Sequence, residues 1–212
     1  MNKNRILCID LDDTLSLTAE TILKYAIKFD KENLHGNGIL KTIDTCEDYY
    51  YFARMLGWDR GDLIKFFDQC YIQYLKDIKV KPESSLIIKK IKQLGVKIYI
   101  ITSRREQKNN VVEKITKNWL EKNGILYDKL YLDIVDKGEL LQDINPTYFV
   151  DDSFKNCMDI FNKCKNTQVF LIETKFNQKI VVGKFNRIKT LDELYIQIKG
   201  DVSYEQFRNR QS

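Results

Sequence analysis

The stretch RILCIDLDDTL, residues 5–15, joins an apolar run to three acidic residues within four positions. An apolar run of this kind is typical of a strand that is buried in a parallel sheet. Carboxylates at the end of such a strand are unfavourable to bury unless a cation or hydrogen-bond donors compensate them. The stretch therefore predicts a strand that ends in a charged site, and it raises the question of what the compensating partner is.

Strand and helix patterns alternate along much of the remaining chain. Strands are predicted at 96–101, 129–132, 148–150 and 169–172, and helices at 82–94, at 107–122, after Ser153 and at 191–199. Alternation of this kind implies a parallel sheet that helices cover on both faces. We therefore predict an α/β fold, namely a Rossmann-like parallel sheet flanked by helices.

The segment between the first strand and the helix at 82–94 shows no strand pattern. Apolar stripes with helical spacing run through 18–29 and 62–78. We therefore predict a small helical cap that is inserted after the first strand. The predicted domains are a core formed by 1–15 and 82–212 and a cap formed by 16–81.

An aromatic cluster, Tyr49-Tyr50-Tyr51-Phe52 with Trp58 nearby, lies within this predicted cap. The cluster is compatible with a platform on which a nucleotide base stacks. Aromatic residues at such density in a helical unit more often form its interior, so packing is the favoured interpretation.

The composition argues against several classes of protein. The 212 residues carry a formal net charge of +5, which suits an anionic small molecule such as a phosphate ester but is too weak to indicate nucleic acid. A single histidine, His35, argues against a Ser-His-Asp triad and a multi-histidine zinc site. Five cysteines without a CxxC pair, no secretory signal pattern and no membrane-spanning apolar run favour a cytoplasmic protein. A homodimer is compatible with the sequence.

Four segments are expected to bring polar side chains to one edge of the sheet, because ligands of open α/β sheets bind at the carboxyl ends of the strands. These side chains are Asp10 and Asp12 after the first strand, Thr102, Ser103 and Arg104 after the second, Lys137 on a loop, and Asp151 and Asp152 after strand 148–150. Neighbouring carboxylates repel each other unless a cation lies between them, and Mg²⁺ prefers such oxygen ligands. This edge is therefore predicted to bind Mg²⁺ and, through its hydroxyl and lysine donors, a phosphoryl group.

Simpler interpretations exist for each group. Acidic and hydroxyl residues before a helix often cap it, so either pair of acids alone would indicate only a turn or a cap. Arg104 is compatible with contact to a phosphate or a base, or with a solvated charge at the start of a helix. Lys129 competes with Lys137 as the phosphate-binding lysine, and Lys137 is favoured because it precedes strand 148–150.

Taken together, the four segments resemble the four motifs of the haloacid dehalogenase-like (HAD) phosphohydrolases. DLDDTL at 10–15 resembles the first motif, DxDx(T/V), and IITSR at 100–104 resembles the second, a hydrophobic strand that ends in Thr or Ser. Lys137 resembles the third motif and YFVDDS at 148–153 the fourth. Within the family, the chain is most similar to the 5'(3')-deoxyribonucleotidases and their bacterial relatives, on the form of these motifs and the small helical insertion.

The resemblance implies an enzyme that hydrolyses phosphate esters. Asp10 would be the nucleophile that forms an aspartyl-phosphate, and Asp12 would protonate the leaving alcohol and later activate water. Mg²⁺ would be held by the Asp10 side chain, the Asp12 backbone carbonyl and the acids Asp151 and Asp152, and the sequence leaves open which of the latter two ligates it directly. Asp13 is expected to be only a turn or cap residue.

The resemblance also implies the groups that bind the substrate. Thr102 and Lys137 would bind phosphoryl oxygens and neutralise charge that develops on them, and Ser103 would assist. Apart from the resemblance, Arg104 is a candidate for binding the substrate, through contact with its phosphate or its base. The implied substrate is a nucleoside monophosphate, with a sugar phosphate or a polynucleotide end as alternatives within the same chemistry. A non-catalytic module that binds phosphate or Mg²⁺ is the alternative of a different class.

Overall fold

The computed structural model describes residues 5–41 and 51–209. Within these residues the chain forms a parallel sheet of six strands in the order β3-β2-β1-β4-β5-β6. The strands are β1 Ile6–Ile9, β2 Lys97–Ile101, β3 Lys129–Tyr131, β4 Tyr148–Asp151, β5 Gln168–Ile172 and β6 Asn186–Ile188. This strand order reverses beside β1, as it does in doubly wound nucleotide-binding folds. The predicted Rossmann-like α/β fold is confirmed.

Eight α-helices flank the sheet or lie in the insertion, counted over the same described residues. They are α1 Thr18–Asn33, α2 Tyr51–Leu56, α3 Arg60–Asp77, α4 Ser84–Gln93, α5 Val111–Lys122, α6 Lys137–Ile144, α7 Phe154–Lys163 and α8 Leu191–Asn209, and a 3₁₀ turn, Lys108–Asn110, precedes α5. Helix α4 stops before Gly95, whose φ of 80° favours glycine, as the sequence predicts. Among the described residues, no helix combines the length and the hydropathy that a transmembrane helix requires.

The central strand β1 is buried on both faces. Leu7 and Ile9 point to one side and join the larger hydrophobic cluster of the molecule, whereas Cys8 points to the other and packs with Phe149 and Cys157. Because helices cover both faces, β1 is a continuous apolar run rather than an alternating pattern. The charged residues that follow β1 therefore emerge directly from the hydrophobic interior.

The structure corrects the predicted placement of Lys137. The segment before β4 is the helix α6 rather than a loop, and Lys137 is the first residue of that helix. Asp136 caps α6 by accepting a hydrogen bond from the Glu139 backbone N–H at 3.1 Å. An acidic residue followed three positions later by Glu is a known start signal for a helix, so this element was detectable in the sequence.

Three further differences concern short or terminal elements. Strand β6 was not predicted, because its three residues, NRI, are too few to show a period. Helix α2, within the predicted cap, spans only six residues and was not predicted either. Helix α8 continues ten residues past its predicted end at Lys199 and reaches Asn209.

Helices α1, α2 and α3 lie between β1 and α4, in the segment predicted as a cap. The two chain segments that connect them to the sheet run side by side. The Leu17 backbone N–H donates to Lys79 O at 2.8 Å, and the Lys81 backbone N–H donates to Leu15 O at 2.9 Å. Both connections therefore enter the insertion next to the acidic end of β1.

Two aromatic residues of the insertion, Tyr51 and Phe52, are buried. Phe52 is fully buried and packs edge-on against Trp58, with ring centroids 6.0 Å apart. Tyr51 is also buried and lies 4.0 Å, between ring centroids, from Phe176 of the segment after β5. Packing is therefore the role that the structure supports for Tyr51 and Phe52, and Tyr49 and Tyr50 lie outside the described residues.

Candidate active site

The acidic end of β1 lies at the centre of the carboxyl edge of the sheet. Strand β1 pairs with β2 on one side and with β4 on the other. The ladder extends one residue further, since the Asp10 backbone N–H donates to Val150 O at 3.0 Å. Residues that follow β1, β2 and β4 therefore meet at this edge, as parallel topology requires.

Lys137 joins acids from two strands. Its Nζ contacts the carboxylates of Asp10 and Asp151, the latter at 2.7 Å, and all three side chains are almost fully buried. Burial, reinforced by Asp151 and opposed by Lys137, raises the pKa of Asp10 to about 7. Burial by itself lowers the pKa of Lys137, but the two carboxylates outweigh that effect and raise the pKa above its ordinary value. Lys137 is therefore a fixed positive charge, and it is one answer to the question of what compensates the acids.

A group of three acids remains incompletely neutralised. Ligand oxygens of Asp10, Asp151 and Asp152 all lie within 4.8 Å of one another. Loss of hydration and the nearby Asp151 and Asp10 carboxylates raise the pKa of Asp152 well above its ordinary value. Carboxylate oxygens at this density form the ligand set that a hard divalent cation such as Mg²⁺ prefers.

Asp151 and Asp152 differ in how many of their oxygens are already engaged. The Asp151 carboxylate accepts hydrogen bonds from Lys137, from the Ser153 backbone N–H at 2.8 Å and from Asn156 Nδ2 at 3.0 Å. The Asp152 carboxylate accepts none from the residues that the structure describes. Asp152 is therefore the acid with oxygens available to a cation, whereas Asp151 is held in place by its neighbours.

A second buried cation, Arg104, holds Asp12. Arg104 Nε lies 3.0 Å from Asp12 Oδ2 and Nη2 lies 2.8 Å from Oδ1, which is a bidentate pair. Hydroxyl groups of Thr18 and Thr102 also donate to Asp12, at 2.5 and 3.2 Å. Burial would raise the pKa of Asp12, but Arg104 and the hydroxyl donors outweigh burial and hold it below its ordinary value. The free site thus holds Asp12 as a carboxylate, the form that can accept a proton.

This arrangement contradicts one of the alternatives for Arg104. Its side chain is only 2% exposed, so it is not a solvated charge at the start of a helix. The first turn of α5 is instead capped by Glu106, whose carboxylate accepts from the backbone N–H groups of Val112 and Glu113, both at 2.9 Å. A direct contact between Arg104 and a substrate stays a prediction.

Thr102 and Ser103 occupy different surroundings. Thr102 is buried, donates to Asp12 and accepts from the Arg104 backbone N–H at 3.2 Å. Ser103 is exposed, and its hydroxyl donates to Ile134 O at 2.8 Å, in the segment between β3 and α6. Thr102 is therefore integrated with the acids, whereas Ser103 lies at the rim, and their phosphate-binding roles stay predictions.

The two candidate lysines are clearly separated. Lys129 is exposed at the start of β3, where its Nζ lies 5.2 Å from the centre of the Tyr99 ring. Lys137 lies against Asp10, which follows β1, and Asp151, the last residue of β4. The geometry therefore favours Lys137 over Lys129 as the lysine of the site.

Lys81 joins the site although no motif marked it. Its Nζ donates to the backbone carbonyl of Asp13 at 2.6 Å. Burial lowers the pKa of Lys81, against the opposing effect of Asp152, Asp13 and Asp10. Lys81 stands in a lysine-rich segment and reaches the site only because the two connections to the insertion run side by side, so local sequence carried no signal for it.

Asp13 contacts the start of α1. Its backbone adopts a positive φ of 57°, and its carboxylate accepts from the Ala19 backbone N–H at 2.9 and 3.2 Å. This contact supplies an acceptor that the residue before the helix, Leu17, lacks. The expected role as a turn and cap residue agrees with this geometry.

Comparison with known proteins identifies the fold class. No protein-family model matches the sequence, and no curated protein matches it either. Among solved structures, the chain is similar to a haloacid dehalogenase-like family hydrolase from Streptococcus pneumoniae, with a TM-score of 0.61, 12% identity, and coverage of 92% of this chain and 99% of that one. It is also similar to a predicted phosphatase from Clostridium acetobutylicum, with a TM-score of 0.61, 14% identity, and coverage of 93% and 99%.

A third similar structure is the HAD-hydrolase YfnB from Bacillus subtilis, determined with bound magnesium. It matches with a TM-score of 0.59 and 14% identity, over 93% of this chain and 99% of that one. Identities this low establish the fold alone. The chain therefore has the fold of the HAD-superfamily hydrolases, over nearly the whole length of these structures.

Proposed function

We propose that the protein is a Mg²⁺-dependent phosphomonoesterase that works through an aspartyl-phosphate intermediate. The observation that carries the proposal is the contact of Lys137 with Asp10 and Asp151, beside Asp152. It brings together a nucleophile, Asp10, a fixed positive charge, Lys137, and a carboxylate that can bind a cation, Asp152. Similarity to hydrolases, one described as a phosphatase and one solved with magnesium, supports the same conclusion.

Two acids share the chemistry. The ester binds as its monoanion, and its proton passes to the Asp12 carboxylate. In the first step an Asp10 oxygen attacks phosphorus, the bond between phosphorus and the ester oxygen breaks, and the proton on Asp12 passes to that oxygen to release the alcohol. In the second step water attacks phosphorus, Asp12 takes up its proton, and the bond between phosphorus and Asp10 breaks. Inorganic phosphate leaves with the proton that Asp12 took from water, and Asp10 and Asp12 return to their carboxylate forms.

Donors around the acids would bind the phosphoryl group. Lys137 and Thr102 would neutralise charge on the phosphoryl oxygens, with Ser103 at the rim. The residues suited to hold Mg²⁺ are Asp10, the Asp12 backbone carbonyl and Asp152, while Asp151 orients Lys137. When bound, the ion would offset the repulsion between the substrate and the acids and polarise the phosphoryl oxygens.

The substrate that we propose is a nucleoside monophosphate in the cytoplasm, with residues 16–81 as a cap over the site. The grounds are the resemblance of the four motifs to those of the deoxyribonucleotidases and a net charge of +5 that suits an anionic substrate. A sugar phosphate or a polynucleotide end fits the same chemistry, and the residues of the insertion would decide among these substrates.

The test is a hydrolysis screen of the purified protein with Mg²⁺ over ribo- and deoxyribonucleotides, sugar phosphates, a phosphorylated oligonucleotide and p-nitrophenyl phosphate. We expect release of phosphate that EDTA abolishes and Mg²⁺ restores. Asp10→Asn should abolish turnover, whereas Asp143→Asn, at an exposed position on α6, should not.

Two outcomes would contradict the proposal. Unchanged turnover in the Asp10→Asn protein would exclude Asp10 as the nucleophile. Binding of inorganic phosphate without turnover of any ester in the screen would indicate a non-catalytic module. A preference for the oligonucleotide that weakens steeply with salt would instead reassign the substrate to a polynucleotide end.

A further inference from the structure

We propose that Arg104 is a positioning residue that holds Asp12 for proton transfer to the leaving group, and that it does not bind the phosphoryl group. The inference rests on the proposed function, since it takes Asp12 as the acid of the first step. It differs from the sequence analysis, which makes Arg104 a candidate for binding the substrate. The arguments are the geometry of the Arg104 side chain, its support from helix α5 and the separate pairing of the two reactive acids.

The first argument is that Asp12 occupies the edge of the guanidinium that would bind a phosphate. Nε and Nη2 form the side of arginine that pairs with two oxygens at once. Here both oxygens of Asp12 lie on that side, at 2.8 Å from Nη2 to Oδ1 and 3.0 Å from Nε to Oδ2. A phosphoryl group could use this edge only by displacing the acid that has to protonate its leaving oxygen.

The second argument is that helix α5 fixes Arg104 from behind. Its Nη1 donates to the buried Thr116 hydroxyl at 3.2 Å, and its Cζ lies 6.0 Å from the centre of the Trp119 ring. The side chain is 2% exposed. Arg104 therefore links helix α5, whose Val112, Trp119 and Leu120 are buried in the core, to a carboxylate on the segment after β1.

The third argument is that each reactive acid has its own cation. Lys137 contacts Asp10, and Arg104 contacts Asp12. The nucleophile and the acid act on opposite sides of phosphorus in an in-line displacement, so their carboxyl groups must be kept apart and separately aimed. Thr18 and Thr102 also donate to Asp12, but single hydroxyl donors do not impose the planar orientation that a bidentate pair imposes.

The experiment compares two phosphate esters in the full-length protein with Mg²⁺. p-Nitrophenyl phosphate has a leaving group that departs without protonation, whereas a simple alkyl phosphate needs a proton from an acid. kcat/KM reports the steps up to release of the alcohol, so it isolates the half-reaction in which Asp12 is the acid. We expect Arg104→Met to lower kcat/KM for the alkyl ester by about 10²-fold, in the range of a general acid. For p-nitrophenyl phosphate we expect a change smaller than about fivefold, and inhibition by inorganic phosphate should be unchanged within about twofold.

Three further variants keep the test decisive. Arg104→Lys retains the charge without the planar fork and should give an intermediate, ester-dependent loss. Thr116→Val removes a support of Arg104 at a distance from the substrate and should give a smaller loss in the same direction, which covers the case in which Arg104→Met does not fold. In an Asp12→Asn background, Arg104→Met should cost no more than about threefold further, because the group that it positions is gone.

Arg5→Met is the matched control, because Arg5 forms a partly buried ion pair with Glu205 at the opposite end of β1. It should lower stability without changing the ratio of kcat/KM between the two esters. Equal losses on both esters with weaker inhibition by phosphate would place Arg104 on the phosphoryl group and overturn the inference. Equal losses that track a lowered melting temperature, as in Arg5→Met, would also overturn it. Inactivity of the wild type on both esters would overturn the proposed function and, with it, this inference.

Discussion

The three acids of DLDDTL have different surroundings, and this difference yields a sharp prediction for Asp13. Asp13→Asn should leave catalysis nearly unchanged, whereas the same change at Asp10 or Asp12 should not. The Asp13 carboxylate accepts hydrogen bonds from the Ala19 backbone N–H at the start of α1. Within the described residues it forms no hydrogen bond or ion pair with Lys137 or Arg104. Asparagine keeps an acceptor oxygen and tolerates the positive φ of 57° at this position.

The expected magnitudes follow from these contacts. Loss of a negative charge at a helix N-terminus costs about 0.3–1 kcal/mol. In the opposite direction, burial raises the pKa of Asp13 to about 6, so the folded state disfavours its charge, and a neutral amide removes that penalty. The free energy of unfolding should therefore change by less than about 1 kcal/mol. Asp13→Ala, which removes the acceptor, should cost about 1 kcal/mol.

The assay measures kcat/KM for p-nitrophenyl phosphate and an alkyl phosphate with saturating Mg²⁺, with urea unfolding of each variant as the stability control. We expect Asp13→Asn to retain activity within about threefold, Asp12→Asn to lose about 10²–10⁴-fold on the alkyl ester, and Asp10→Asn to lose at least about 10³-fold. A loss above about 30-fold in a normally stable Asp13→Asn protein would show that Asp13 takes part in the chemistry and that the division of roles is wrong.

Three other predictions concern separate parts of the molecule. Lys137→Met should lower kcat/KM by about 10²–10³-fold, as expected for loss of a preorganised charge, while Lys129→Met should stay within about twofold; similar losses in both would refute the choice of lysine. Glu83, before α4, has a φ of 65°, so Glu83→Gly should raise the free energy of unfolding by about 0.5–1 kcal/mol. Gly95→Ala should lower the free energy of unfolding by about 1 kcal/mol, because Gly95 has a φ of 80° although a Cβ there would meet nothing within 4 Å. Urea titrations measure both changes. Asp30 is buried and accepts from the Trp58 indole N–H at 2.7 Å and the Gly38 backbone N–H at 2.8 Å, so Asp30→Ala should cost about 2–4 kcal/mol, with the loss of hydrogen-exchange protection concentrated around α1.

Strand β1 and its acids were predictable from the sequence because their signals are local. A strand that is buried on both faces must be apolar throughout, so residues 5–15 indicated both a parallel sheet and a charged site at its end. Parallel topology brings the ends of neighbouring strands together, which is why Asp10, Asp12 and Thr102 could be placed at one edge with the two acids at the end of β4. The short edge strand β6 carried no comparable signal, because only one of its three residues, Ile188, is apolar and the strand pairs with β5 alone.

Tertiary structure alone decided how the charges pair. The local patterns indicated a cation for the acids, and the structure supplies two that contact carboxylates, Lys137 from the start of α6 and Arg104 from the segment after β2. A third, Lys81 from the return of the insertion, donates to the backbone carbonyl of Asp13. Pairing energies depend on distances of a few ångströms and on burial, and neither is encoded within a window of sequence. DLDDTL thus marks where the chemistry lies, while the fold determines that Asp10 shares a cation with Asp151, that Asp12 has its own, and that Asp13 contacts a helix.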